Sequence, residues 1–410
     1  MPIKLTERQQ EIADALIDFA LGNRHTSYIA FSGTAGSGKS EVVAHVAREL
    51  LDHSPNFAIA FIAPTGKASL VLRNKLRKQE ATNDNTFIGT MHSLIYSLKS
   101  KKAGKMIWEK KDIDLSSDYD LLICDEASML SPEAFRDLLS YQVPVIFVGD
   151  SFQLPPVEGK PFQPLIDTTL TLDEPHRQSL DSPIVKWANV IRKDGAAAVP
   201  FQSTKSFARL RKGSAEGIRI ANAFFEQAAD PDTIILCGKN NTRMQLNRAV
   251  RTKLGYTGLL PEKGERLMCL RNDRMLGVMN GQLMYVDEAT PVPESSGTCY
   301  WLKPEVSSNV SYDPSFVAFS SALTAKDGKA ISQALAQEHE LVSAGLSRSV
   351  QKEPALFTYG YVTSVHKSQG SEWGRVLLYD ERMMYQSDKE YNQWLYTAVT
   401  RSSNKLCILS

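Results

Sequence analysis

The sequence predicts an α/β protein built on parallel sheet, and three observations carry that prediction. Short apolar runs rich in β-formers recur, the clearest being Tyr28 to Phe31, Ala58 to Ile62, Leu121 to Cys124 and Val145 to Val148. Each run ends in Gly, Thr, Asp or Glu and is followed by helical periodicity, the alternation expected of strands joined through crossover helices. One strand-to-helix junction is a glycine-rich loop. Ligands of such sheets bind at the carboxyl ends of the strands, so functional residues are sought there.

Bulk properties bound the reading without deciding it. A chain of 410 residues, 42% hydrophobic and 23% charged, is long enough for two or three domains with cores of their own. No apolar run approaches a membrane span, and the start, Met1 to Arg8, lacks the apolar core of a secretion signal, so a cytosolic protein without membrane contact is expected. Five cysteines (Cys124, Cys237, Cys269, Cys299, Cys407) with no C-x-x-C pair point to neither a disulfide framework nor a zinc site. With a formal net charge of +1, any nucleic-acid binding must use a local groove rather than a global basic field.

Taken in chain order, Thr6-Glu7-Arg8-Gln9 reads as a capping box opening a helix with Ile12, Leu16 and Phe19 on one face. The strongest signal follows the first strand: Gly33-Thr34-Ala35-Gly36-Ser37-Gly38-Lys39-Ser40 matches the phosphate-binding loop and opens a helix carrying Val42, Val43, Val46 and Leu50. Its glycines let backbone N–H groups turn toward phosphate oxygens, and the helix N-terminus adds positive potential. Lys39 is expected on the β/γ oxygens and Ser40 on magnesium.

The run Leu121 to Cys124 ends in Asp125-Glu126. Asp125 is expected in the magnesium shell and Glu126 as the group that orients and deprotonates attacking water. The second carboxylate favours hydrolysis over transfer to an acceptor. A further strand, Val143 to Val148, leads into Gly149 to Pro156, where Gln153 is suited to bond a γ-phosphate or its water and report its loss. Arg177 and Arg401 lie far off in sequence, and arginines that arrive only on closure would stabilise transition-state charge. Surface arginine is the alternative for both.

Between Leu94 and Ser117 the basic run Lys99 to Lys105 separates two short stretches, the second holding Met106-Ile107-Trp108, and Gly104 is placed to turn a hairpin. Two readings stay open: a wedge with an exposed Trp108, or a solvated loop with Trp108 tucked against the sheet. From about Glu265 to Pro354, glycines and prolines interrupt strand-like pieces such as Leu283 to Val286, with a helix suggested near Ile331 to Leu341. The helix-strand pattern resumes at Phe357, so this β-rich segment is an insert within a second α/β domain.

The order of these motifs resembles superfamily-one helicases of the 5′-to-3′ class, of the Dda-like (T-even phage) and RecD-like kind. The resemblance rests on Gly33 to Ser40, Ala63-Pro64-Thr65-Gly66-Lys67-Ala68, Thr90-Met91-His92-Ser93, Asp125 to Ser128, Gly149 to Pro156, the segment around Arg177, Val362 to Gly370 and Tyr396 to Arg401. It covers nearly the whole chain except parts of the insert, and Thr298 to Val350 has no residue-by-residue match. It implies two RecA-like P-loop domains that clamp ATP, with single-stranded DNA crossing both. Residues 1–93 and 118–175 would form the first, with 94–117 as a hairpin pin. Residues 176–264 and 355–410 would form the second, with 265–354 as a small SH3-like β-barrel.

By the same resemblance Pro64, Thr65, His92, Thr363 and His366 look like DNA contacts, Trp108 like part of the pin, Gly370 and Glu372 like nucleotide contacts, and Arg177 and Arg401 like arginine fingers. Hydroxyl and imidazole groups suit that task because they bond phosphates without reading bases, although an isolated histidine is more often packed in a core. Gln9 matches the position that bonds adenine, in competition with its capping role. The expected activity is therefore an ATP- and Mg2+-dependent DNA helicase, monomeric, acting on single-stranded and duplex DNA in replication, recombination or repair, with a single-strand-binding protein as candidate partner. An RNA track, a P-loop kinase and a non-motor nucleotide switch are the alternatives.

Overall fold

The apolar runs form the strands of two mainly parallel sheets, in a computed structural model that describes residues 5–22, 26–102, 105–155, 162–173, 182–258, 260–270, 281–291, 299–304, 316–319 and 356–410. These residues fall into two units. The first comprises Met1–Val199, Gln369–Ser371 and Ser387–Thr400, and the second comprises Pro200–Ser368, Glu372–Gln386 and Arg401–Ser410.

The first unit runs α1 (Glu7–Ala20), β1 (Tyr28–Gly33), α2 (Lys39–His53), β2 (Ile59–Ala63), α3 (Gly66–Lys78), β3 (Phe87–Thr90), α4 (Met91–Ile95), β4 (Tyr96–Lys102), β5 (Lys105–Lys110), β6 (Leu121–Cys124), α5 (Pro132–Leu139), β7 (Val145–Gly149), α6 (Gln163–Asp167), β8 (Thr171–Leu172) and α7 (Pro183–Asp194). Its main sheet has the order β3-β2-β6-β7-β1-β8, with every pairing parallel. Strands β2, β6 and β7 are buried along their whole length, as continuous apolar runs must be when helices cover both faces. On one face Ile12, Leu16, Val42, Val46 and Leu50 form a core. On the other, Ile95, Leu115, Leu138 and Phe162 form a second.

Local chemistry sets the helix starts. The capping box expected at Thr6 is formed: the Gln9 N–H donates to the Thr6 hydroxyl and the Thr6 N–H to Gln9 Oε1. Ser131 caps α5 ahead of a proline at its first turn, where the missing N–H removes no helical bond.

Strands β4 and β5 pair antiparallel, Trp108 opposite Leu98 and Lys105 opposite Lys102, so the expected hairpin exists; its turn, with Gly104, lies outside the described residues.

The second unit holds β9 (Gln202–Ser203), β10 (Phe207–Leu210), α8 (Ala215–Glu226), β11 (Thr233–Cys237), α9 (Asn240–Leu254), β12 (Arg266–Cys269), β13 (Leu283–Pro291), β14 (Cys299–Pro304), β15 (Phe316–Phe319), β16 (Phe357–Tyr359), β17 (Val362–Ser364), α10 (Val365–Ser368), β18 (Trp373–Tyr379) and β19 (Ser402–Leu409). Its sheet, β17-β11-β18-β19-β10-β9, is parallel except at the edge strand β9. Helix α11 (Asp388–Val399) lies between β18 and β19 in sequence but packs in the first unit.

The insert is an antiparallel sheet of order β15-β14-β13-β12-β16, entered by β12 and left by its neighbour β16. Whether it closes into a barrel depends on 292–298, 305–315 and 320–355, which lie outside the described residues, as does the helix expected near Ile331. The insert's first strand is anchored by a bidentate ion pair, Arg251 to Glu265 at 2.7 Å through both oxygens, with Arg251 stacked 4.1 Å from the Tyr359 ring. A fully buried carboxylate is tolerable there because every oxygen is bonded.

Two expected boundaries differ from those observed. The first unit continues past 175 to Val199: α7 packs on α11, Arg192 of α7 pairs with Asp173 just after β8 at 2.9 Å, and Asn392 of α11 accepts from the Ala196 N–H in the turn that follows α7 at 2.9 Å. The cut expected at 94 falls inside α4.

Asn247 on α9 is 3% exposed and its Oδ1 accepts from both the Tyr361 and Val362 N–H groups. Asn247→Ala leaves both amides unpaired and is expected to destabilise the second unit by about 2–4 kcal/mol in urea unfolding; a change below about 0.5 kcal/mol would mean the amides find other partners.

Candidate nucleotide site and strand-contact residues

Pairing of β7 between β6 and β1 brings three strand ends to one edge. Cys124 sits opposite Phe147 and Ser32 opposite Gly149, so the loop 33–38, the Asp125-Glu126 pair and the segment from Gly149 emerge side by side. Gly149 has to be glycine: a Cβ there would lie 3.2 Å from the Ala127 and Ser128 amide nitrogens and 2.7 Å from Leu165 Cδ1.

Gly36 and Gly38 take positive φ, +74° and +88°, which folds the loop around its own amides. Helix α2 begins at Gly38 with no side-chain cap, so its first N–H groups are left for a ligand. Lys39 Nζ donates to the Gly33 and Thr34 carbonyls at 2.7 and 3.0 Å, and Lys75 donates to Ser40 Oγ at 3.2 Å. The buried oxygens Thr34 Oγ1, Ser37 Oγ, Ser128 Oγ and Gln153 Oε1 have no hydrogen-bond partner. Buried polar atoms ordinarily find partners, so three unpartnered hydroxyls able to donate, beside a lysine resting on carbonyls, fit a polyanionic ligand, and the Gln153 oxygen fits a water bound with it. Among the described residues no group of three or more His, Cys, Asp or Glu could by itself hold a metal. That suits magnesium, which takes one or two protein oxygens and completes its shell with water and phosphate.

Asp125 and Glu126 are both half-buried, and Asp125 Oδ1 accepts the Glu126 N–H at 2.9 Å. Glu126 has φ +51° and ψ +37°, a left-handed conformation uncommon for a side-chain-bearing residue and costing about 1–3 kcal/mol. The backbone just after it, at Ala127 and Ser128, packs closely against Gly149.

Several site neighbours were not singled out in the sequence. Asp150, 2% exposed, accepts the Tyr396 hydroxyl on Oδ2 at 2.6 Å and the Phe152 N–H on Oδ1 at 3.0 Å. Tyr396 Oη in turn accepts the Ala35 N–H at 3.1 Å. The Leu154 N–H donates to Thr397 Oγ1 at 3.0 Å, and the Leu154 carbonyl accepts from Gln369 Nε2 at 2.9 Å. The available signal was the burial of Gln393, Tyr396 and Thr397 within an otherwise apolar helix stretch, since buried polar groups need partners.

The other expected site residues separate by location. Gln9 is 3% exposed, fills its capping role and donates through Nε2 to the Ser37 carbonyl at 3.0 Å, so both ends of its amide are used within the chain. Half-buried Pro64 precedes Thr65, which caps α3 by accepting the Ala68 N–H. Gly370, at φ +70°, lies against these residues: its Cβ position is 2.9 Å from Ala68 Cβ and 3.8 Å from Thr65 Oγ1. Exposed His92 has its ring 5.1 Å from Tyr96 and 5.6 Å from Trp108. Trp108 is half-buried against the first unit's second core, so it is the tucked residue of the two readings and not an exposed wedge tip.

In the second unit Thr363 is 3% exposed and its hydroxyl donates to Met268 Sδ at 3.6 Å, which corrects the expectation of a hydroxyl presented to a strand. His366 is half-buried on α10 and Glu372 is exposed. Arg401 is 5% exposed in the same unit. Arg177 lies outside the described residues.

Against known proteins, residues 4–214 match the family described as AAA domain, and residues 359–409 match that of the UvrD-like helicase C-terminal domain. The ATP-dependent RecD2 DNA helicase of Deinococcus radiodurans is 25% identical over 421 aligned residues, 98% of this chain and 48% of that protein. The ATP-dependent DNA helicase dda of Enterobacteria phage T4 is 29% identical over 157 residues, 38% of this chain and 33% of that protein. The chain thus spans about half, or less, of these relatives. A Bacteroides Pif1 helicase solved with ADP-AlF3 and ssDNA superposes at a TM-score of 0.54 with 18% identity, covering 99% of this chain and 92% of that one, and so shares its fold of two RecA-like domains. The superfamily-one resemblance read from the motif order is borne out.

A Cβ at Gly38 would lie 2.3 Å from Gln9 Nε2 at a positive φ, whereas one at Gly22, also left-handed, meets nothing within 4 Å. Gly38→Ala is expected to weaken binding of a fluorescent ATP analogue by about tenfold or more, and Gly22→Ala to lower stability by about 1–2 kcal/mol without changing binding. Equal binding by both variants and the unaltered protein would show that the loop tolerates a side chain.

Proposed function

We propose, from the premise that this chain belongs to the AAA-domain family, that it is an ATP-driven DNA helicase translocating 5′-to-3′ on single-stranded DNA. The observation that carries the reading is the cluster of unpaired buried oxygens around a glycine loop, with Asp125 and Glu126 at the neighbouring strand end. The motif order, together with the likeness to two ATP-dependent DNA helicases, supports the DNA track.

In this mechanism the loop from Gly33 to Gly38 offers amides to the phosphates, and Lys39 exchanges the Gly33 and Thr34 carbonyls for phosphoryl oxygens. Magnesium, held by Ser40 and Asp125, neutralises phosphoryl charge when bound. Glu126 orients a water and takes its proton, which then sits on the carboxylate. Gln153 reads the γ-position through its side-chain amide, whose Nε2 can donate to a phosphoryl oxygen while Oε1 accepts from the attacking water. Arg177 and Arg401 add positive charge in the transition state, a role supported by the motif order. Pro64, Thr65, His92 and His366 contact the strand, and the β4–β5 hairpin, which carries Trp108, is the element that separates the duplex. Thr363 acts by supporting that surface from beneath. The protein works as a monomer, with a single-strand-binding protein as partner.

Lys39→Ala is expected to lower ATPase kcat at least about 10³-fold while leaving the melting temperature within a few degrees, and hydrolysis at the unaltered rate would remove the central assignment. Strand displacement separates the remaining options: ATP-dependent displacement from a 5′-tailed duplex and not a 3′-tailed one is expected, with DNA oligomers stimulating hydrolysis more than matched RNA. Displacement from the 3′ tail alone reverses the polarity, and stronger stimulation by RNA replaces the track.

A further inference from the structure

Resting on the hydrolytic reading above, we infer that Tyr396 is a positioning residue that sets the phosphate loop and the Gln153 segment in one register through a single hydroxyl. That hydroxyl makes two bonds at once, donating to Asp150 Oδ2 at 2.6 Å and accepting from the Ala35 N–H at 3.1 Å. A phenol has one hydrogen and the Ala35 N–H can only donate, so the directions are fixed: the phenol donates to the Asp150 carboxylate and its lone pair accepts from the loop amide.

The rest of the arrangement converges on Gln153. Asp150 lies three residues before it and Leu154 one residue after. Leu154 is gripped at its N–H by Thr397 and at its carbonyl by Gln369, while Thr397 passes its own proton to the Gln393 carbonyl at 2.8 Å. Tyr396 and Thr397 are adjacent on α11, so one helix turn holds the segment on both sides of Gln153, whose Oε1 has no hydrogen-bond partner among the described residues. The Tyr396 ring is locked too, 1% exposed and set edge-on to Phe152 at 5.1 Å and 88°. Burial, reinforced by the neighbouring Asp150 carboxylate, holds the phenol well above its ordinary pKa, so the donor persists at any working pH.

Loss of the hydroxyl strands the Asp150 carboxylate oxygen and the Ala35 amide, and frees loop and Gln153 segment to drift apart. A displacement on the order of 1 Å in such a group costs about 10²-fold in rate. Binding of ADP by the remaining loop amides is retained, so the loss falls on kcat and on the contact to the γ-phosphate.

The test is Tyr396→Phe, which keeps the ring. ATPase kcat is expected to fall about tenfold or more while the Kd for ADP changes less than about twofold. In equilibrium titrations without turnover, the preference for a non-hydrolysable ATP analogue over ADP is expected to fall about fivefold, because the γ-phosphate is read through Gln153. In a Gln153→Ala background, Tyr396→Phe is expected to lower kcat by less than about twofold more, since both changes remove one function. An unchanged kcat, an unchanged analogue-to-ADP preference, or losses that multiply fully in the double variant each overturn the inference and leave Tyr396 as packing. Should Tyr396→Phe not fold, Thr397→Val, which removes the acceptor for Leu154, is held to the same outcomes. If the unaltered protein hydrolyses no ATP, or Lys39→Ala hydrolyses it normally, the functional reading fails instead; an active protein indifferent to Tyr396→Phe sinks only this inference.

Discussion

The parallel pairing of β7 between β6 and β1 is the constraint from which the candidate site follows. Parallel strands end on the same edge, and the crossover helices that join them leave that edge to loops. Here the register brings Ser32 beside Gly149 and Cys124 beside Phe147, so residues more than a hundred positions apart meet within hydrogen-bonding distance. The spacing is tight at Gly149, where a Cβ would press on the Ala127 and Ser128 amide nitrogens, and the preceding residue, Glu126, is left-handed. Strain in one residue is sustained because both flanking strands are fully buried and cannot relax.

Several buried polar groups of the framework are tied to backbone atoms or a counter-charge: Asn247 satisfies two amides at the entry to β17, and Arg251 with Glu265 closes the root of the insert. Unpartnered buried atoms also occur elsewhere, at Gln79, Thr233 and Tyr359 among others, but at the loop four of them, on Thr34, Ser37, Ser128 and Gln153, gather at one sheet edge beside Lys39, and it is that grouping that points to a ligand. The same reasoning gives weight to Tyr396, a phenol fully removed from water whose two bonds both lead to the site.

Much of this was legible beforehand because it is local. The glycine loop, the strand-terminal Asp125-Glu126 pair and the Thr6–Gln9 capping box each depend on residues a few positions apart, and all appear where the sequence places them. The β4–β5 hairpin was legible for the same reason. The end of the first unit was not, since α7 joins it through Asn392, nearly two hundred residues on. Trp108 and Thr363 were ambiguous because exposure is a property of the packed fold, and both proved to face inward.

By itself, then, the sequence determined the chemistry available at the strand ends, since backbone turns and helix starts are governed by near neighbours. Tertiary structure alone decided which distant groups complete it: that α11 returns to the first unit, that Gln9 binds the loop from below, and that Tyr396 rather than water meets Asp150. The reason is that hydrogen bonds between segments far apart in the chain carry no periodicity or spacing; they exist only once burial has excluded water and left each polar group one partner to find.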